Sequence, residues 1–340
     1  MGDTVTVAIP VKNGSAVLGE TLAAVRAQEL GRPLELLVCD SGSRDDSVAL
    51  ARAHGAEVIE VGPESFSHGG TRNLLMERAS GAHVAFLTQD AVPADANWLA
   101  HLLEGFALAE DVGLVFGPYL PRAGASPMVA RELCEWFRSF APEGRPRIDR
   151  LAESELEAGG RGVPARALLG ARGYFTDANG CVARAAWESA PFRPVAYAED
   201  HVLAHDMLRA GYAKVYVPSA AVIHSHEYSG WDWLRRSFDE SRALAEVYGF
   251  VEPLGARRAA LKVWGLVGAD WRFARGESDA GGGSGAGGGS GALVGAAAGL
   301  LASSAVHHSL RVAGAVLGSR ADRLPVALVR RLSLEGRRGA

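Results

Sequence analysis

Three aspartates lie where a strand-like run ends or a helix begins. Asp40 follows Val38-Cys39 and precedes Ser41-Gly42-Ser43, Asp90 follows Phe86-Leu87-Thr88-Gln89, and Asp200 sits in Ala198-Glu199-Asp200-His201. Taken singly, each reads first as a turn or cap residue, Asp200 in particular as a helix N-cap. Gathered at one sheet edge, they make a negative cup that needs a cation or hydrogen-bond donors to be tolerable. A divalent metal with a nucleotide diphosphate would supply the positive charge. Two further stretches have chemistry to match. Ser67-His68-Gly69-Gly70-Thr71-Arg72-Asn73 is a Gly-containing turn entering a helix, so its backbone N–H groups and Arg72 can face an anion. The plain alternative is a capped helix with Arg72 in solvent. His224 and His226, two apart in an extended run, point the same way and either can ligate a metal, unless both are ordinary surface histidines.

Positioning these residues requires strands that end together. Val5–Ile9, Leu34–Cys39, Glu57–Val61, Val84–Thr88 and Val112–Phe116 read as strands, with helical spacing at Leu18-Leu22-Val25, in the Ser43–His54 stretch and over Thr71–Ala79. Ser43 with Asp46 makes a capping-box start, and His54-Gly55 a stop. The alternation predicts an α/β fold with a doubly wound, mostly parallel sheet, whose ligands gather at the strands' carboxyl ends. Residues 118–172 read as an irregular insertion, apart from a helix over Arg131–Phe140. Helices are expected again over Asp200–Ala210 and Trp231–Val247, with a strand over Lys214–Val217.

Composition narrows the function. Apolar residues make up 48% and charged residues 22%, an ordinary globular balance with enough chain for a sizeable core. Cys39, Cys134 and Cys181 are scattered, which fits neither a zinc knuckle nor a disulfide framework and suits a reducing compartment. The N-terminus enters a strand-like run with no signal peptide ahead of it, so a cytoplasmic site is expected. The net charge of −4 conceals +7 from Gly255 onward and −11 before it. An acidic body argues against nucleic acid, and the basic, partly apolar tail suits an anionic membrane surface or an ordinary solvated face. Gly281–Gly291 is a Gly/Ser linker by composition, and its formal G-x-G-x-x-G lacks the preceding strand that a dinucleotide site needs. Ala292–Val306 is apolar, carries Gly295-x-x-x-Gly299 and is too short to span a bilayer, so interfacial docking or a packed hairpin is expected.

The order of these motifs resembles family 2 glycosyltransferases of the GT-A fold, and within them a bacterial rhamnosyltransferase-like group. The resemblance rests on Ala8-Ile9-Pro10-Val11-Lys12-Asn13, Cys39 to Asp45, Phe66 to Asn73, Leu87-Thr88-Gln89-Asp90-Ala91, Ala198-Glu199-Asp200, and His224 to Ser229 continuing to Asp239. It covers about residues 4–250. By this resemblance Asp40 holds the nucleobase, with Ser41 and Gly42 beside it, while Pro10, Val11 and Asn13 line the base and ribose pocket. His68, Arg72 and Gln89 lie near the nucleotide, Glu199 beside the donor, and Asn179 with Gly180 shape the donor-sugar pocket. Asp90 matches the last acid of the family's D-x-D metal motif, with His226 or His224 as the later ligand for Mg²⁺ or Mn²⁺. Asp200 matches the general base. Thr88 stands where the motif's first acid would be, so one carboxylate holds the metal less firmly, and metal and donor are expected to bind together.

The resemblance thus implies inverting transfer from a nucleotide-diphospho sugar, dTDP-L-rhamnose by preference, to a hydroxyl of a cell-surface or lipid-linked glycan. A UDP-hexose, UDP-GlcNAc or galactofuranose donor would leave the same motifs. A sugar nucleotidyltransferase would need an early Gly-rich, Arg-containing loop that Ala8–Asn13 lacks, and a non-catalytic glycan- or partner-binding module would not need Asp40, Asp90 and Asp200 together. The expected organisation is a catalytic domain over 1–250, a helical extension over 251–280, the linker at 281–291, and a tail over 292–340 that contacts the inner face of the membrane peripherally. That organisation leaves room for an oligomer.

Overall fold

The computed structural model describes residues 4–157, 164–195, 197–253, 255–276 and 290–334, so the Gly/Ser run over 281–289 lies outside the described residues. The chain forms two compact units, Met1–Ala123 with Leu133–Ser225 and Gly124–Glu132 with His226–Ala340. The boundary falls ahead of the helix over Gly230–Tyr248, which the sequence assigned to the catalytic domain.

The first unit runs β1 (Val5–Val11), α1 (Leu18–Arg26), β2 (Leu34–Asp40), α2 (Ser47–Ala53), β3 (Glu57–Glu60), α3 (His68–Arg78), β4 (His83–Leu87), β5 (Val92–Pro93), α4 (Trp98–Gly105), β6 (Val112–Phe116) and β7 (Tyr119–Leu120). After α5 (Pro127–Phe140), whose first turns belong to the other unit, come β8 (Arg147–Asp149), α6 (Glu153–Glu157), β9 (Asn179–Ala183), α7 (Arg184–Ser189), α8 (Glu199–Arg209), β10 (Ala213–Tyr216) and β11 (Val222–Ile223). Eight strands form one sheet in the order β3-β2-β1-β4-β9-β6-β10-β8. The β3-β2-β1-β4 run and the β6-β10 pair are parallel, whereas β9 is antiparallel to both its neighbours and β8 to β10. A small second sheet pairs β5, β11 and β7.

Strand alternation sets the two layers. Val5, Val7, Ile9 and Val11 of β1 bury into a core with Leu18, Leu22 and Trp98, while Ala8 faces the opposite core with Leu75, Met76, Phe137 and Leu203. Helices therefore cover both faces, as the doubly wound expectation requires.

Three expectations need correction. The 118–172 stretch holds more than the expected helix, which forms as α5 from Pro127, since β7, β8 and α6 also lie in it. The helix expected from Ser43 begins only at Ser47, and no capping box forms there. Ser43 is drawn away because its Oγ accepts a hydrogen bond from Asn13 N at 2.8 Å, and Asp46 makes no side-chain cap. Finally, β9 was not foreseen as a strand, although it lies in the middle of the sheet.

The second unit is helical, with α9 (Gly230–Tyr248), α10 (Ala256–Ala274), α11 (Ser290–Gly318) and α12 (Val326–Leu332). Helix α9 ends at Gly249, whose left-handed φ of 64° lets its N–H reach back to Ala245 O and the next N–H, of Phe250, to Leu244 O. Helix α11 lies along α9 at very close range: a Cβ on Gly314 would collide with the Leu234 carbonyl, and one on Gly318 with that of Phe238. The buried Asp239 of α9 accepts from Ser333 Oγ and Leu334 N, both at 2.7 Å, and so ties down the chain after α12. Among the described residues, no helix is long and apolar enough to cross a membrane.

Candidate active site

Sheet order brings the predicted residues to one edge. Asp40 ends β2 opposite Val11 of β1, and Thr88-Gln89-Asp90 follow β4, which lies on the other side of β1. Because β9 runs antiparallel, its first residue Asn179 pairs with Leu87 at the end of β4. The acidic turn before β9 therefore opens at the same edge, among the carboxyl ends of its parallel neighbours.

The loop after β1 is held from two sides. Asn13, in a left-handed turn with φ 48°, donates its N–H to Ser43 Oγ and accepts from Arg44 N at 2.9 Å. Ser47 Oγ accepts from Gly14 N at 2.8 Å, and Gln89 Oε1 accepts from Lys12 N at 3.0 Å. Gln89 thus braces the loop that carries Pro10 and Val11. Ser41 Oγ donates to Val11 O at 3.1 Å, while Gly42 (φ 84°) packs where a side chain would strike Pro63. Asp40 uses one oxygen, Oδ2, to accept from Gly42 N and Ser43 N at 3.0 and 2.9 Å. Its Oδ1 is buried without a hydrogen-bond partner, an acceptor that a bound donor would satisfy.

Next along the edge stands Asp90, whose Oδ1 lies 3.6 Å from Nδ1 of the largely buried His224. That gap is too long for a hydrogen bond and near the separation of two ligands on one ion with bonds of about 2.0–2.2 Å. A carboxylate beside an imidazole is a donor set that fits a divalent cation. Arg122, which the sequence did not single out, fixes the segment: Nη2 donates to Asp90 O at 2.7 Å and Nη1 to Glu20 Oε2 at 3.1 Å. His226 belongs to the other unit, where it is exposed with its ring 5.6 Å from that of Tyr228.

Arg72, expected to face an anion near the nucleotide or else to lie in solvent, is buried between two carboxylates. Its Nη2 donates to Asp177 Oδ1 at 2.7 Å and its Nη1 to Glu199 Oε1 at 3.0 Å, with Nε 2.5 Å from Asp177 Oδ2. His68 sits at the margin of this cluster, Nδ1 3.7 Å from Glu199 Oε1. Glu199 opens α8 directly after Ala198, a non-glycine residue at φ 61°, so the backbone turns sharply to present the acids inward. Asp177, on the turn before β9, was the partner the sequence left without a role. Burial holds its carboxyl well above the usual range against the opposing pull of Arg72, and Glu199 and Asp200 add to the rise. Asp200 keeps some solvent contact and accepts from His201 N at 2.8 Å. Burial, opposed by His201 and then reinforced by Glu199, also raises its pKa.

Tyr119 links the two halves of the edge. Its hydroxyl hydrogen-bonds Thr176 Oγ1, its ring lies 4.9 Å from that of His224, and burial pushes its pKa well up, with Asp200 and Asp177 among the contributing charges. Asn179 and Gly180, expected to shape a sugar pocket, are held by close packing. The Asn179 amide donates to Pro118 O and Ala220 O at 3.1 and 2.8 Å and accepts from Trp98 Nε1 at 2.8 Å. At Gly180 a Cβ would strike Thr176 O and the Phe175 ring. Both residues support the edge from behind.

Comparisons with known proteins bear on the family and the fold. The sequence model described as glycosyl transferase family 2 matches residues 6–150. The O-antigen chain rhamnosyltransferase RfbN of Salmonella typhimurium is 30% identical over 240 residues, covering 69% of this chain and 70% of its own. Rhamnosyltransferase WbaN of Salmonella anatum is 29% identical over 238 residues, with the same shares. Among solved structures, the Pyrobaculum calidifontis mannosyltransferase PcManGT, in complex with GDP-Man and Mn²⁺, gives a TM-score of 0.55 at 17% identity. That likeness covers 92% of this chain and 86% of the mannosyltransferase, and it shows the shared GT-A fold. With the fold, the motif order and a rhamnosyltransferase alike over two thirds of its length, the chain belongs to glycosyl transferase family 2.

Proposed function

We propose that this chain is an inverting glycosyltransferase that moves a hexosyl group, with dTDP-L-rhamnose as the favoured donor, to a hydroxyl of a cell-surface or lipid-linked glycan. The observation that carries the reading is the common sheet edge. An acceptor oxygen of Asp40, the Asp90–His224 pair and the raised carboxyl of Asp200 are mounted on one framework there. The preference for rhamnose comes from the relatives RfbN and WbaN, both named as rhamnosyltransferases.

In this reading the free Oδ1 of Asp40 accepts a ring N–H of the base, and the braced Pro10–Asn13 loop closes over base and ribose. Asp90 with His224 would hold Mg²⁺ or Mn²⁺, His224 being one of the two histidines that the sequence offers for the later ligand. When bound, that ion supplies positive charge for the departing diphosphate. Asp200 takes the proton from the acceptor hydroxyl as its oxygen bonds the anomeric carbon and the bond to the diphosphate breaks. A raised carboxyl pKa makes a stronger base, since catalysis by a positioned base improves as its pKa approaches the working pH.

Asp200→Asn tests the assignment. Turnover should fall by about 10²- to 10⁴-fold, while the dissociation constant for dTDP-L-rhamnose, read by thermal shift, stays nearly unchanged. Asp200 acts only when ionised, so wild-type kcat/KM should rise with pH along a limb centred above the ordinary aspartate value of about 3.9. A D200N enzyme with wild-type turnover would remove Asp200 from the mechanism.

A further inference from the structure

The helical unit contains a second cluster of metal-ligand type, far along the chain from Asp90 and not used by the proposed transfer. Glu132, His307 and His308 each place one ligand atom within 4.8 Å of the others. Both histidines are almost fully buried, His307 at 4% exposure and His308 at 1%. Adjacent helical residues diverge by about 100°, so two such rings meet at one point readily when one uses its far nitrogen and the other its near nitrogen. That is the arrangement found. His307 brings Nε2 to 3.8 Å from Glu132 Oε2, and His308 brings Nδ1 to 3.7 Å from Glu132 Oε1.

Two observations point to a ligand and not merely to a polar core. The Nε2 of His307 is buried without a hydrogen-bond partner. The other nitrogen of His308, Nε2, lies 2.7 Å from Asp270 Oδ2, and Asp270 also accepts from Arg131 Nε at 2.6 Å and from Ser304 Oγ. A carboxylate behind an imidazole fixes the tautomer and turns the lone pair of the opposite nitrogen toward a metal. Here that lone pair is on Nδ1, the atom facing Glu132. The gaps of 3.7 and 3.8 Å exceed hydrogen bonds and lie slightly above the ligand spacing around an ion with bonds of about 2.0–2.1 Å.

We propose that Glu132, His307 and His308 bind a borderline transition-metal ion, Zn²⁺ by preference, and so clamp the 124–132 segment to α11. Two imidazoles and one carboxylate select against Mg²⁺ and Ca²⁺, which take oxygen ligands. His307 also lines a cavity of about 450 Å³ with Trp233, Tyr228 and Met128. Arg311 is the competitor. Its Nη1 contacts Glu132 Oε2, its side chain is 31% exposed, and it must yield part of that carboxylate to the ion.

The test uses the full chain carrying His224→Ala, which weakens the Asp90 site. After chelation and dialysis against Zn²⁺, this protein should retain about one zinc, and Co²⁺ should give the visible absorption of a four- or five-coordinate nitrogen-ligated ion. Adding His307→Ala should abolish both signals. Adding Arg311→Gln instead, which leaves all three ligands in place, should tighten zinc binding by about tenfold or more. Retention of zinc by the H307A protein, no zinc in the H224A protein, or weaker binding in R311Q would each overturn the proposal and leave the cluster as an ion-pair lock.

Discussion

At the scale of single residues, the decisive feature is a guanidinium between two acids. Arg72 meets Asp177 and Glu199 with almost no solvent, and Asp200 follows Glu199 in the chain. Burial drives Asp177 and Asp200 toward their protonated forms, and three carboxylates against one fixed cation add to the rise. Arg72→Met should therefore do two separate things. Breaking a buried ion pair from one side costs about 3–5 kcal/mol, so the urea midpoint should drop sharply. Arg72 also lowers the Asp200 pKa, so its loss should move the acid limb of the pH–rate profile to higher pH. Lysine should not rescue fully, since it cannot reproduce the two-pronged contact with Asp177. Unchanged midpoint and limb in R72M would show that the triad neither stabilises the edge nor tunes the base. The sign of the effect on Asp200→Asn is opposite. A carboxyl raised in the folded state penalises folding increasingly as pH climbs from its unfolded value through its folded one. The amide should accordingly be at least as stable as wild type near pH 7, with any advantage fading at pH 3, a result that separates lost chemistry from lost fold.

Among the elements, the glycines of α11 show both the reach and the limit of sequence reasoning. The sequence offers three G-x-x-x-G spacings in this helix, Gly291 to Gly295, Gly295 to Gly299 and Gly314 to Gly318. The Gly314–Gly318 pair lies against α9, with Leu234 and Phe238 carbonyls where side chains would go, while a Cβ on Gly299 would meet nothing within 4 Å. Gly314→Ala should destabilise the unit by several kcal/mol because backbone cannot yield. Gly299→Ala should instead stabilise it by up to about 1 kcal/mol through helix propensity. Thermal melts of the two single variants check both, and similar shifts in the two would refute the packing assignment. The sequence singled out the Gly295 spacing because it sits in the more apolar run, and spacing alone cannot say which face meets a partner helix. The same logic applies to the site. Strands β1, β2, β4 and β6 were legible from short apolar runs, and Asp40, Asp90 and Asp200 from their positions at element ends. Strand β9 was not, because Asn179-Gly180 at its start reads as a turn, yet the antiparallel return of β9 carries Asp177 to the edge. Arg72 was misread for a related reason: its two partners lie 105 and 127 residues away, and no local pattern encodes a contact that distant.

For the molecule as a whole, charge and exposed aromatic surface bear on where it works. Residues from Gly255 onward carry net +7 against −11 for the rest. Helix α10 gives that charge a setting. It buries Val263, Val267 and Asp270, while Leu261 and Trp264 stand 63% and 67% exposed among Arg257, Arg258, Lys262, Arg272 and Arg275. Exposed Trp and Leu flanked by basic residues suit the interfacial plane of an anionic bilayer. A glycosyltransferase acting on a lipid-linked acceptor would benefit from such attachment. The sequence expected the contact to come from the segment after Gly291, but α11 lies along α9 through Gly314 and Gly318. Deleting that segment would strip the helical unit of its packing and confuse misfolding with release. Surface substitution on α10 is cleaner. The intact chain should sediment with vesicles of phosphatidylglycerol and phosphatidylcholine, less so as salt is raised, and not with phosphatidylcholine alone. Leu261→Glu with Trp264→Glu should remove binding without moving the melting temperature, as both side chains are largely in solvent. Arg257→Gln with Arg258→Gln should weaken partitioning by about 1 kcal/mol each, on the order of 30-fold together. Equal sedimentation of the wild type and the double glutamate variant would mean that α10 faces water, and that the basic surface serves solubility alone.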